Sequence, residues 1–126
     1  MMISRVAVTV SAVLGMAGVA IAQVAGPDGD PAAGEKIATR GVGNTVVACN
    51  FCHGNGGQGA EIDGIPYLAG LGGYYIQKQI DDYRSGARAW HPVMEQVAKE
   101  LTPQQIADVF AYFETAELNL PPAPES

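Results

Sequence analysis

Apolar residues recur at helical spacing in three stretches of the chain. Ile76, Ile80 and Tyr83 mark one face of a helix over residues 73–84, with Ser85 and Gly86 to end it. Val93, Val97 and Leu101 mark a shorter helix. Ile106, Val109, Phe110 and Phe113 form the apolar face of a last one, which starts at Thr102-Pro103 and reaches about residue 115. A further helix is announced by its ends. Asp30 offers an N-cap carboxylate, Pro31 suits the first helical position, and Gly41 stops the run. Lys36 and Arg40 then sit near its C-terminal end, where the helix dipole favours them. Strand periodicity is nearly missing, and only residues 45–48 could pass for a strand. The pattern therefore predicts an all-α fold.

Between these helices lie two irregular runs. Residues 54–59 are glycine-rich but lack the Gly-Lys-Ser/Thr ending and the preceding strand of a phosphate loop. A tight turn is the simpler reading. Residues 65–70 read as an extended loop and turn, because the residue before Pro66 avoids helical geometry.

The N-terminus changes the picture of where the chain works. Residues 1–22 hold one charge, Arg5, then an apolar run closed by Ala20-Ile21-Ala22, a small-x-small cleavage pattern. This is the form of a cleaved signal peptide. An uncleaved membrane anchor is the alternative, although the run is short for a span. The expected organisation is a signal peptide (1–22), a flexible leader (23–29), one folded domain (30–117) and a disordered, proline-rich tail (118–126). The chain carries 7 Lys plus Arg against 13 Asp plus Glu, a net charge of −6; losing Arg5 with the signal takes it to −7. That balance excludes nucleic acid and anionic membrane surfaces as partners. After cleavage no stable membrane insertion is expected. The remaining domain is small for a self-sufficient core.

Chemistry enters at Cys49-Asn50-Phe51-Cys52-His53, which holds the only two cysteines of the chain. Cys-x-x-Cys-His is the attachment signature of c-type haem. On a helical turn, residues three and four apart share a face. Cys49 and Cys52 can then form thioethers to one haem while His53 turns a ring nitrogen to its iron. A thioredoxin-like site would need a sheet that the rest of the pattern does not offer. A structural disulfide suits an exported chain but leaves the adjacent histidine without a role. A closed zinc site needs four ligands, and two Cys with His53 and His91 lack finger spacing. One covalent haem c is the expected cofactor.

The second iron ligand is sought among the remaining thioethers and imidazoles. Met1, Met2 and Met16 fall in the signal segment, which leaves Met94 as the sole methionine of the domain. Met/His ligation is a known haem arrangement and raises the reduction potential. Core filling is the competing role, since Met94, Val97 and Leu101 share helical spacing. His91 is the competing donor, and an exposed loop histidine is its plainer reading.

With these motifs in order, the chain resembles the small class I c-type cytochromes of bacterial periplasms, single-haem or tandem two-haem. The resemblance is carried by residues 34–38, 48–54, 65–70 and 79–88, by Met94, and by Leu101-Thr102 through Tyr112-Phe113. It implies a small cytochrome c fold, about four to five helices wrapped around one haem, with the first and last helices crossing where Gly34 and Ala38 admit Val109, Tyr112 and Phe113. It implies that the Pro66 carbonyl accepts a hydrogen bond from His53, and it suggests Arg88 near a haem propionate. The stretch between Gly34 and Cys49 is longer than in the most compact members, so the packing of residues 42–47 does not follow from it. With iron held from both sides, the expected activity is one-electron transport between redox-partner proteins rather than catalysis. Two alternatives stay open: a haem c subunit of a larger dehydrogenase or oxidase, and a sensor or enzyme with a displaceable sixth ligand.

Overall fold

The computed structural model describes residues 28–59 and 64–119. The expected signal segment, residues 23–27 of the leader and the tail from residue 120 lie outside the described residues. The elements are α1 (Pro31–Arg40), α2 (Cys49–His53), α3 (Gly73–Ser85), α4 (Pro92–Glu100) and α5 (Pro103–Thr115), with one 3₁₀ turn at Asn55–Gly57. Among the described residues, β pairing is limited to a single bridge between Val42 and Val46. The all-α expectation holds, with five α-helices among the described residues.

The helix ends are set by the residues that the sequence offers for them. The Asp30 carboxylate accepts the Ala32 N–H at 2.8 Å, and Pro31 opens α1. Gly41, at φ 73°, closes α1 by donating its N–H to the Ile37 carbonyl. At α5, Thr102 accepts from the Gln105 backbone while the Gln105 side chain accepts from the Thr102 N–H, a reciprocal pair that satisfies two otherwise orphan donors.

The frame of the molecule is the crossing of α1 on α5. A Cβ at Gly34 would stand 1.9 Å from the Asp108 carbonyl oxygen and 2.9 Å from the Tyr112 Cβ, so the two backbones meet there without an intervening side chain. Asp108 is buried at this crossing, and its carboxylate accepts the Asp30 N–H at 2.8 Å and the Gln104 amide at 3.0 Å. A buried carboxylate with two donors avoids the cost of an unpaired one. Ile37, Ala38, Val109 and Phe113 fill the space around the contact, with Ala38 and Phe113 wholly buried. Full burial of Phe113 is worth on the order of 3 kcal/mol. α3 packs on α5, and α4 packs on α3.

Residues 42–47, left without a prediction above, double back on themselves. Val42 and Val46 exchange backbone hydrogen bonds at 2.9 and 3.1 Å, and Val46 is buried in the core. Gln96 of α4 then donates to the Thr45 carbonyl.

Candidate functional site

α2 is only five residues long, so its position comes from its surroundings rather than from its own helical stability. The glycine-rich run after it supplies that support. Gly59 donates to the His53 carbonyl at 2.7 Å. The Gly57 carbonyl accepts both the Leu68 and Ala69 N–H groups, at 2.7 and 2.9 Å, which folds residues 64–70 back over α2. Gly57 has φ 73° and sits against the Phe113 ring, so only glycine serves there. The run works as a tight loop.

This fold-back sets the chemistry of His53. The ring is buried and its Nδ1 lies 2.8 Å from the Pro66 carbonyl oxygen. A carbonyl can only accept, so Nδ1 carries the proton. Nε2 is then the nitrogen with a free lone pair, the form that a metal requires.

Cys49, Cys52 and His53 open onto one cavity of about 690 Å³. Its volume falls in the range of cofactor pockets. Ile76, Ile80, Leu101, Ile106, Val109 and Phe110 make its apolar floor and walls. Met94 of α4 borders the same cavity, half-buried and packed on the core cluster. His91 also borders it, but as the exposed N-cap of α4. Burial, with a smaller push from Cys52, lifts the Cys49 thiol to about 11, so it stays protonated at neutral pH. A large planar apolar group with one thioether-forming edge fits this set of donors and walls. Two close cysteines and the adjacent histidine make a class I haem c attachment site.

Arg88 is half-buried and is the one Lys or Arg among the described residues of the cavity wall. Its guanidinium lies over the Tyr83 ring, 4.9 Å from the centroid, and donates to the Gln79 side-chain oxygen. Its backbone N–H donates to the Asp82 carbonyl at 2.9 Å. Gln79 and Tyr83 thus hold the cation at the cavity edge. Sequence reasoning placed Tyr83 in the core face of α3 and passed over Gln79; the only available signal was their helical spacing on one side of α3. It also missed Tyr67 and Tyr75, which line the cavity and remain 40% and 54% exposed at its mouth.

The chain matches the family model described as cytochrome c over residues 31–117. It is 40% identical over 93 residues to the thiosulfate dehydrogenase electron acceptor of Stutzerimonas stutzeri strain A1501, covering 73% of this chain and 40% of that protein. Against cytochrome c-554(548) of Halomonas halodenitrificans the identity is 39% over 93 residues, covering 71% of this chain and 99% of that protein. Among solved structures, cytochrome c4 of Acidithiobacillus ferrooxidans superimposes with a TM-score of 0.63 at 37% identity, over 71% of this chain and 51% of that one. The match thus spans about half or less of the electron acceptor and of cytochrome c4, and nearly all of cytochrome c-554(548).

Proposed function

The chain belongs to the cytochrome c family, class I, and from that membership we propose that it is a periplasmic one-electron carrier whose single haem c is held between His53 and Met94. The observation that carries this reading is the pair of donors on one cavity, an imidazole with Nε2 free and the domain's sole thioether. Once attached, the haem would supply one-electron chemistry. Cys49 and Cys52 anchor it covalently. His53 would bind the iron through Nε2, and the Pro66 carbonyl fixes its tautomer and ring orientation, which raises the basicity of that nitrogen. Met94 would give its thioether as the second protein ligand and so leave no open position for substrates and small gases. Arg88, held in place by Gln79 and Tyr83, would pair with the carboxylates of the haem edge.

The signal-like segment of residues 1–22 supports export, and the motif is served by an attachment chemistry that lies outside the cytoplasmic membrane in bacteria. No helix among the described residues is long and apolar enough to cross a membrane. A second reading is favoured by the similarity, at 35% identity, to a solved thiosulfate dehydrogenase of Marichromatium purpuratum of which the chain covers 20%: the chain can serve as the haem c part of a larger redox assembly. Copurification of the native protein separates a free carrier from a subunit.

Acid–acetone extraction tests the attachment. Haem is expected to stay with the polypeptide in wild type and to leave it when Cys49→Ala and Cys52→Ala are combined. Loss of haem from wild type would refute a covalent site.

A further inference from the structure

A second cavity, of about 270 Å³, lies between α3 and α5, outside the haem site. Its floor is apolar, made by Ile106, Ala107, Phe110 and Ala111. Its rim is acidic. Asp81 comes from α3, Glu114 from α5 and Asp28 from the segment before α1. In the sequence, Asp81 and Glu114 are thirty-three residues apart; the packing of α3 on α5 sets them on one groove. The cation at this rim is already engaged. Arg84 donates to the carbonyls of Ala98 and Leu101 and lies 3.8 Å from Asp81.

We propose that this groove is a docking site for lysine side chains of a basic redox partner. It rests on the carrier reading and names the chemistry of that carrier's partner. The cavity is below the roughly 300 Å³ at which small-molecule pockets begin, which favours a side chain over a cofactor. A lysine stem can lie on the Ile106 and Phe110 floor while its ammonium reaches the carboxylates of the rim. Glu114 stands near Gly73 at the start of α3, its Oε2 3.6 Å from where a Gly73 Cβ would be. Asp81 is eight residues further along the same helix, roughly 12 Å away at 1.5 Å per residue. Ile106 and Phe110 line both this groove and the haem cavity, so a partner seated here is one layer of side chains from the cofactor.

The test is a titration of the ¹⁵N-labelled, haem-bearing protein with blocked tetralysine at low salt. The amides of Gln77, Asp81, Ala107, Ala111 and Glu114 are expected to shift together and saturably. Asp81→Asn combined with Glu114→Gln is expected to weaken binding about fivefold, the scale of two surface ion pairs. Glu35→Gln combined with Glu100→Gln removes the same charge from exposed positions on α1 and α4 and is expected to leave binding nearly unchanged. Equal weakening by both pairs, or shifts scattered over acidic residues elsewhere, would overturn the groove and leave only net charge. Because the readout is binding, its failure leaves the carrier reading standing, and a failed carrier reading shows instead in the haem spectrum.

Discussion

The side chain of Arg84 leaves α3 and ends on α4. Its Nε donates to the Ala98 carbonyl at 2.8 Å and its Nη2 to the Leu101 carbonyl at 2.9 Å. These carbonyls lie at the C-terminal end of α4, where backbone acceptors have no partner within the helix and where the dipole favours a cation. Because α4 carries Met94, this fork holds the methionine's helix against α3. Arg84→Ala is expected to cost about 1–2 kcal/mol in urea unfolding, reduced from the usual value of two charge-assisted bonds because the side chain is about a third exposed. The far-red sulfur-to-iron band should also fade at a lower temperature than in wild type. Arg84→Lys should recover only part of both, since an ammonium cannot reproduce the fork. Unchanged stability and an unchanged band would show that α4 is held by its apolar contacts alone. The role of Arg84 was hidden in the sequence, where an arginine near a helix end reads as compensation for its own helix. The contact between His53 and Pro66 was foreseen through the resemblance, and the 2.8 Å geometry agrees with it.

At the scale of elements, the α1–α5 crossing decides where the walls of the cavity stand. Gly34→Ala would drive a methyl into the Asp108 carbonyl, a backbone atom that cannot rotate away. The helices must separate, at a cost on the order of 3 kcal/mol. A matching drop in the thermal midpoint, with haem still attached, is the expected result; a variant as stable as wild type would mean that the crossing is loose. The ends of α1 and α5 were legible because Asp30-Pro31 and Thr102-Pro103 cap locally, without help from distant chain. Residues 42–47 were not, because they close on their own backbone hydrogen bonds and bury Val46, which no helical or strand period in so short a run announces. The crossing partners were foreseen only in part. Tyr112 meets Gly34 as foreseen, but the nearest neighbour, the Asp108 carbonyl, was not foreseen, since a glycine's contact is chosen by the backbone behind it and not by an apolar stripe. Helix α2 is too short for periodicity and was legible only as chemistry.

For the whole molecule, the cavity is as much a part of the core as the helices. Leu101, Ile106, Val109 and Phe110 belong to the buried cluster and also face the cavity. Without haem their inner faces lose the apolar partner that a domain of this size depends on. The protein lacking Cys49 and Cys52 is therefore expected to show no cooperative thermal transition by circular dichroism, and a sharp transition would contradict that. Arg88, Gln79 and Tyr83 set the polar edge of the cavity, while Tyr67 and Tyr75 set its exposed mouth. Function then rests on whether the far wall closes the iron. Carbon monoxide binding to the reduced wild-type protein tests this most directly. With the Met94 sulfur in place, binding should be slow and incomplete; Met94→Ala should make it fast and stoichiometric, and His91→Ala should leave it as in wild type. Rapid, complete binding to wild type would contradict the carrier account and favour an open-site sensor or enzyme.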